Sequence, residues 1–303
     1  MKSFCTLNNM LRRNLEFNPD KIALIEEDRS FTFAEMVDRC QRMTNALLDF
    51  GLERGERVAI LSKNSIENAE SYFSIPSANL VLVMLNFRLA PRELQDILLD
   101  SEPSVIMVNQ EYLDHFVQIQ TALPSIKEVI YIGDLAQKPA GWHHYENLIA
   151  AASAAAPDVN PTEDDLAALL YTSGTTGAPK GCMATHRNFY HVGRSLTLEL
   201  KMDSDDVGII ASPLFHATGA VTLMNHIYSG TTSIIMPMWD VPTFLELVEK
   251  YKITTGMLAT PMVLFLAEFS DFAKYDFSSL KKIYFAGAPV TPVVFQKAIK
   301  IYG

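Results

Sequence analysis

Residues 170–181 read LYTSGTTGAPKG, a short apolar run that opens into a loop of Ser, Thr and Gly and ends in Pro-Lys-Gly. Its glycines can adopt backbone conformations closed to other residues, so main-chain N–H groups can turn toward an anion. Hydroxyl groups add hydrogen-bond donors, and Lys180 supplies a positive charge on a long side chain. Together these groups have the chemistry that binds a polyphosphate. The glycines are Gly174, Gly177 and Gly181, and the hydroxyl groups belong to Thr172, Ser173, Thr175 and Thr176.

A solvated loop is the simplest alternative for this stretch, because Gly, Ser and Thr dominate ordinary loops. The spacing also differs from the Walker pattern G-x-x-x-x-G-K-[ST]. Gly174 and Gly177 are too close together, and Gly181 rather than Ser or Thr follows Lys180. The stretch is therefore not an ordinary P-loop.

Composition and charge restrict the class of protein. The chain has 303 residues, of which 49% are hydrophobic and 20% charged, so it can bury a large core. A net charge of −10 argues against a general nucleic-acid or anionic-membrane surface. The apolar run at residues 80–85 is far too short to span a bilayer, and the N-terminus lacks the apolar core of a signal peptide. We therefore expect no nucleic-acid partner and no integral membrane segment.

The number and spacing of the cysteines indicate the redox compartment of the protein. Cys5, Cys40 and Cys182 are an odd number at unrelated spacings and form no paired or zinc-binding pattern. Such usage fits a reduced, cytoplasmic protein without a structural zinc site.

Apolar runs that do not alternate with polar residues are separated by helical segments along most of the chain. This pattern predicts an α/β fold of repeated βα units, with doubly wound, mainly parallel sheets covered on both faces. A hairpin at residues 22–31 precedes a helix that opens with the capping box Thr32–Glu35. The predicted strands lie at residues 22–25, near 31, and at 58–61, 80–84, 105–108, 129–132, 167–171, 207–211, 232–236, 256–258 and 283–286. The other predicted helices lie at residues 8–17, 66–78, 91–99, 112–123, 188–198, 220–228, 242–251, 261–269 and after Thr291.

The Ala- and Pro-containing stretch at residues 150–161 is the clearest linker-like segment. It suggests approximate subdomains at 1–160 and 161–303, interleaved in space. Directly after it we expect a strand, the glycine loop and then a helix capped by Thr185, which would place the loop near a helix N-terminus.

Two further segments follow predicted strands, where open α/β sheets place ligand-binding groups. The segment at residues 211–216 reads ASPLFH and ends in His216, and the segment at residues 286–289 reads AGAP. The small residues Ala286, Gly287, Ala288 and Pro289 would let a flat ring approach the backbone. Taken alone, His216 is more often a packed or capping histidine than a catalytic one, and a tight strand-to-helix turn explains residues 286–289 as well as a ligand site does.

These segments, taken together, resemble the acyl-adenylate-forming superfamily of acyl-CoA synthetases, peptide-synthetase adenylation domains and beetle luciferases. Residues 172–181 resemble its phosphate-binding signature, residues 213–216 its PLFH segment and residues 286–289 its GAP-type segment. Residues 85–94, LNFRLAPREL, look like its LNxRLxPxEL stretch, which we take as support for the fold without a chemical task. The resemblance spans nearly the whole chain.

The resemblance implies two half-reactions. A carboxylic acid attacks the α-phosphate of Mg-ATP to give an acyl-adenylate and pyrophosphate, and a thiol, most often CoA, then displaces AMP. It implies Lys180 and His216 as catalytic residues and Thr176 as a Mg²⁺ contact. The segments around Thr172–Gly181 and Ala286–Pro289 would bind ATP. No acid follows Phe215, which favours a substrate without an α-amino group, of aliphatic or aryl type.

By the resemblance, the sequence ends with the helix just before the strand that leads to the family's YGxTE motif, and Tyr302-Gly303 is not that motif. By the resemblance, the chain is the N-terminal part of an adenylate-forming enzyme's large domain, with the C-terminal domain absent and adenylation by this chain alone incomplete. An acyl-CoA synthetase is the favoured interpretation. The alternatives are an enzyme that loads a carrier protein, an oxidative enzyme of luciferase type, or a non-catalytic nucleotide-binding remnant.

Overall fold

The computed structural model describes residues 4–172 and 179–287, together with Pro292 and Gln296. Within these residues the strands form two sheets that alternate along the chain with helices. The strands are β1 (Ile22–Glu26), β2 (Arg29–Thr32), β3 (Arg57–Leu61), β4 (Val81–Met84), β5 (Val105–Asn109), β6 (Glu128–Ile132), β7 (His143–His144), β8 (Leu166–Thr172), β9 (Lys180–Thr185), β10 (Val207–Ile210), β11 (Thr232–Ile235), β12 (Thr255–Ala259) and β13 (Lys282–Ala286). The helices are α1 (Leu7–Arg12), α2 (Asn14–Phe17), α3 (Phe33–Asp49), α4 (Ile66–Ser77), α5 (Pro91–Ser101), α6 (Leu113–Val117), α7 (Tyr145–Ala151), α8 (His186–Glu199), α9 (Ala217–Ser229), α10 (Val241–Tyr251) and α11 (Thr260–Glu268).

Parallel pairing dominates both sheets, as the apolar runs predict. One sheet has the order β7-β6-β5-β3-β4-β8-β9, in which only β8 and β9 are antiparallel within the described residues. The other has the order β13-β12-β10-β11-β1-β2, in which only β1 and β2 are antiparallel. Every residue of β4 is buried, which is typical of a parallel strand covered on both faces. The α/β class with mainly parallel sheets is confirmed.

The N-terminal hairpin joins the second of these sheets. β1 pairs in parallel with β11, with Leu24 opposite Ser233. This sheet therefore takes strands from both ends of the described chain, whereas β3 to β9 form the other sheet. The division into subdomains near residue 160 stays a prediction.

Capping explains where the longest helix begins. The Thr32 hydroxyl accepts from the Glu35 N–H at 3.2 Å, and the Glu35 carboxylate accepts from the Thr32 N–H at 2.7 Å. This is the capping box that the sequence predicts, and it satisfies two N–H groups that the helix leaves unpaired. The hydrogen bonds that the Thr32 N–H and hydroxyl donate to the Glu35 carboxylate hold the pKa of Glu35 below its usual value.

The element after the glycine loop differs from our expectation. Residues 180–185 form strand β9, which pairs with β8, so the order is strand, loop, strand and then helix. Thr185 does cap α8, as predicted, by accepting from the Asn188 N–H. The expectation that the loop leads directly into a helix N-terminus is therefore wrong, because the chain turns back along β8 first.

Two predicted helices are broken in the structure. The segment 8–17 divides into α1 and α2, and the segment 112–123 contains the short helix α6 flanked by 3₁₀ turns. The helix expected after Thr291 lies outside the described residues, apart from Pro292 and Gln296, which are helical. None of the helices in the described ranges is long and apolar enough to cross a membrane.

Candidate active site

The glycine loop is carried by the hairpin of β8 and β9. At the base of the loop Thr172 lies opposite Lys180, and one step further in Tyr171 lies opposite Gly181. The predicted phosphate-binding residues Ser173, Gly174, Thr175, Thr176 and Gly177 lie outside the described residues. The two ends of the loop are therefore fixed side by side by the ladder of β8 and β9.

Gly181 has a packing role at this base. A Cβ atom there would lie 3.2 Å from Cζ of Tyr171, so the tyrosine ring crosses the space that the glycine leaves open. The Tyr171 hydroxyl donates to Asp100 on α5. Partial burial and this carboxylate raise the pKa of Tyr171, which keeps the phenol neutral.

Lys180 is the charged residue at the base of the loop. Its side chain is exposed, and it forms no ion pair with any residue in the described ranges. Lys63, by contrast, is paired with Glu111 at 2.5 Å. The charge of Lys180 is therefore available to an anionic ligand.

His216 occupies the N-cap position of α9, at the end of the turn that follows β10. Its Nδ1 accepts from the Thr218 N–H at 3.2 Å. In the neutral ring the proton then resides on Nε2, which can donate to a ligand oxygen. The residue before it, Phe215, packs edge-to-face on Phe87 with ring centroids 5.4 Å apart.

A cavity of about 380 Å³ joins the base of the loop to His216. Its walls come from the end of β8, the residue before β9, the turn before α9, and α5 with the segment that leads into it. The lining residues are Asn86, Leu89, Glu93, Asp96, Ile97, Tyr171, Thr172, Pro179, Phe215 and His216. Three of the segments that the sequence singles out for different reasons thus face one space.

The segment 85–94 is the part of this wall that sequence reasoning assigned no chemical task. Asn86 and Glu93 bring polar groups to the cavity, while Leu89 brings an apolar one. Both side chains also form hydrogen bonds within the segment, because Asn86 accepts from the Arg88 N–H and Glu93 accepts from the Ala90 N–H. The resemblance of this segment to a family motif was the signal that could have placed it at the site.

The strand-end segment of β13 lies close to the start of α9. A Cβ atom on Gly287 would lie 3.7 Å from Oγ1 of Thr218, the residue whose N–H bonds to His216. Gly287 has φ +95°, which favours glycine. Ala286 and Gly287 are thus brought beside the His216 turn, whereas Ala288 and Pro289 lie outside the described residues.

No group of three or more His, Cys, Asp or Glu side chains in the described part of the chain is arranged to hold a metal ion. Thr176, the predicted Mg²⁺ contact, is outside it.

Curated CoA ligases match more than nine tenths of this chain. The chain is 28% identical over 301 residues to 4-hydroxybutyrate–CoA ligase 2 of Metallosphaera sedula, covering 97% of this chain and 54% of that protein. It is 31% identical over 279 residues to a feruloyl-CoA synthase of an Amycolatopsis species, covering 92% and 53%. The chain therefore spans about half the length of the curated relatives it matches.

Solved structures agree in fold. The crystal structure of the anthranilate CoA ligase AuaEII with anthranoyl-AMP matches with a TM-score of 0.92 at 25% identity, over 98% of this chain and 57% of that one. The inhibitor-bound N-terminal domain of FACL13 from Mycobacterium tuberculosis matches with a TM-score of 0.89 at 25% identity, over 99% and 73%. An ATP-bound RpMatB-BxBclM chimera matches with a TM-score of 0.86 at 26% identity, over 99% and 57%. These similarities confirm the fold of the N-terminal domain of adenylate-forming enzymes.

The AMP-binding enzyme family matches residues 11–303, which is nearly the whole chain. Together with the glycine loop, the His216 turn and the cavity between them, this match shows that the chain belongs to the AMP-binding enzyme family, in the part that corresponds to the N-terminal large domain of its acyl-CoA ligases.

Proposed function

We propose that this chain supplies the ATP- and carboxylate-binding part of an AMP-forming acid–thiol ligase. The supporting observation is the cavity that joins Thr172 and Pro179, at the base of the glycine loop, to His216. One end of this space would hold a polyphosphate and the other a carboxylate. An oxygen of the carboxylate attacks the α-phosphorus of ATP, the bond to the bridging oxygen breaks, and pyrophosphate leaves. The thiol of CoA then attacks the acyl carbon and releases AMP.

The chemistry asked of the protein is to bring two anions together. Lys180 has no counter-charge among the described residues and would match the charge of the departing pyrophosphate. His216 presents an Nε2 donor to the oxygen of the acid or of the acyl phosphate, where preorganised donors stabilise developing charge. Mg²⁺ would neutralise phosphate charge when bound.

The acid is a small aliphatic or single-ring compound without an α-amino group. Leu89, Ile97 and Phe215 give the cavity apolar walls, which suit the carbon chain or ring of such an acid. The named relatives act on 4-hydroxybutyrate and ferulate, which fall within this class. We propose CoA as the acceptor of the acyl group. The proposed compartment is the cytoplasm. The proposed domain organisation is a division into two subdomains near residue 160.

The substitution Lys180→Ala tests the polyphosphate end. We expect it to weaken ATP binding to the protein by about tenfold or more, because a charge-assisted contact is lost. Isothermal titration with ATP measures the change. Lys250→Ala, which removes an exposed lysine from α10 and leaves the β8–β9 hairpin unaltered, is the matched control and should bind ATP as the unaltered protein does.

Equal ATP affinity in the Lys180→Ala and unaltered proteins would contradict the role of Lys180. The choice of acceptor is tested separately by thioester formation with CoA against a carrier domain. Transfer to the carrier alone would replace CoA in the proposal.

A further inference from the structure

The backbone of Leu214, two residues before His216, is held from both sides by buried side chains of another part of the chain. The Leu214 N–H donates to Oδ1 of Asn64 at 2.7 Å. Its carbonyl oxygen accepts from the Tyr72 hydroxyl at 2.6 Å. Asn64 and Tyr72 are both almost completely buried, so water does not compete for these hydrogen bonds.

Asn64 also ties the two sheets together. It lies in the segment between β3 and α4, and its Nδ2 donates to the carbonyl oxygens of Ser212 and Met236, each at 3.1 Å. Ser212 and Met236 lie just past the ends of β10 and β11 in the other sheet. Both donors and one acceptor position of the amide are therefore used on backbone groups of the opposite sheet.

Tyr72, which fixes the Leu214 carbonyl oxygen, lies on α4, a helix whose residues are all buried. On the other side of the turn, Gly219 of α9 is packed so closely that a Cβ atom would lie 2.1 Å from the carbonyl oxygen of Pro213. The turn is therefore fixed between α4 and α9.

Because the Leu214 backbone is fixed, the position of the His216 imidazole two residues later is restricted as well. The His216 N–H donates to the Pro213 carbonyl oxygen at 3.0 Å, which closes the turn, and the ring is fixed by its hydrogen bond with the Thr218 N–H. A shift of Leu214 would therefore move the cavity-lining residues Phe215 and His216 together.

We propose that Asn64 and Tyr72 are positioning residues that set the place of His216 and Phe215 in the cavity. They act through the Leu214 backbone and are not among the residues that line the cavity. Their effect on the binding of an acid rests on the proposed function, whereas their effect on the position of His216 does not.

The first test follows the histidine directly. In ¹H–¹³C spectra of the histidine rings, with His216 assigned by its loss in His216→Gln, we expect Tyr72→Phe and Asn64→Asp to shift the His216 signal. Tyr72→Phe removes only the hydroxyl that holds the Leu214 carbonyl oxygen. Asn64→Asp keeps the acceptor for the Leu214 N–H but turns a carboxylate oxygen toward two carbonyl oxygens.

Tyr145→Phe is the matched control for a lost buried hydroxyl. Tyr145 is also buried, and its hydroxyl donates to Glu70 at 2.8 Å, away from the His216 turn. We expect this variant to lose a similar amount of stability and to leave the His216 signal in place. An unchanged His216 signal in folded Tyr72→Phe and Asn64→Asp proteins would overturn the proposal, as would an equal shift in Tyr145→Phe.

The second test titrates 4-hydroxybutyrate, ferulate and benzoate, each with ATP present, and follows the His216 signal. We expect Tyr72→Phe to raise the dissociation constant of the acid that binds by about three- to tenfold, because His216 and Phe215, which line the cavity, are displaced. An unchanged dissociation constant would overturn the link between positioning and binding. If none of the three acids perturbs His216 in the unaltered protein, the proposed function fails, and the first test still decides the positioning role.

Discussion

The absence of a Cβ atom at Gly219 allows the turn that carries His216 to pack against α9. It lies in the first turn of α9, behind the turn that carries His216, and a Cβ atom there would lie 2.1 Å from the Pro213 carbonyl oxygen and 2.8 Å from that of Ser212. Both obstacles are backbone atoms, which cannot rotate away as a flexible side chain can. A side chain at this position therefore has to displace the turn itself.

We expect Gly219→Ala to weaken acid binding and to lower stability by about 1–3 kcal/mol, since overpacking forces a backbone shift. Gly193→Ala is the control, because a Cβ atom on Gly193 would lie 2.8 Å from the Met224 carbonyl oxygen at the contact of α8 with α9. Chemical denaturation and acid titration measure the two effects. Acid binding that falls equally in both variants would show that the loss follows from general destabilisation.

At the scale of elements, pairing of β8 with β9 determines how far apart the two ends of the glycine loop lie. Tyr171 lies across Gly181 and is anchored to α5 through Asp100, so the hairpin base is tied to one wall of the cavity. β9 is also the edge strand of its sheet within the described residues. The spacing of the two strands at the base of the loop therefore depends on a cross-strand contact between a ring and a glycine.

We expect Gly181→Val to weaken ATP binding severalfold, because its side chain competes with the Tyr171 ring for the same space. Stability should change little, since a β-branched residue favours the strand and offsets part of the steric cost. Met183→Val, on the same face of β9 and 75% exposed, is the control for a valine in this strand. Calorimetric titration with ATP separates the variants, and equal affinities would show that the Tyr171–Gly181 contact does not position the loop.

Helix positions were more predictable from the sequence than this hairpin. Thr32, Thr185 and Pro91 mark helix starts by local chemistry, and the structure confirms each of them. β9 was missed because KGCMAT neither alternates nor forms an apolar run, so the strand owes its conformation to pairing with β8.

At the scale of the whole molecule, the packing of α9 on its sheet makes stability depend on pH. His226 of α9 fills the space beside Gly208 of β10, and its Nδ1 lies 3.1 Å from the Ser233 hydroxyl of β11. Complete burial lowers the pKa of His226 to about 4. Between pH 6.5 and 4 the unfolded chain binds a proton at this residue that the folded chain does not, so stability falls as pH is lowered through this window.

We expect His226→Gln to be less stable than the unaltered protein at pH 7.5 and to lose less stability on going to pH 4.5. Removing the titration should reduce the pH-dependent loss by up to about 3 kcal/mol. Urea denaturation at the two pH values measures the difference. His115→Gln, on the surface helix α6, is the control, and an identical pH dependence in all three proteins would contradict the assignment to His226.

The candidate site was predictable where it depends on strand ends and not where it depends on contacts between distant segments. His216 and Thr172 follow predicted strands, and the rule that ligands bind at the carboxyl ends of parallel strands brings them together. Asn64 stands in SKNS, which reads as an ordinary loop, and its partners Ser212, Leu214 and Met236 become neighbours only when the two sheets meet. No local pattern encodes such a contact.

The parallel pairing of β1 with β11 has a consequence for the order of events during synthesis. Leu24 leaves the ribosome long before its partner Ser233, and at roughly 5–20 residues per second the delay is about 10–40 s. During that interval the outer edge of the N-terminal hairpin has no β11 to pair with, and closing so long a loop is slow. The nascent chain therefore carries an unpaired strand edge at β1 until β11 has been synthesised.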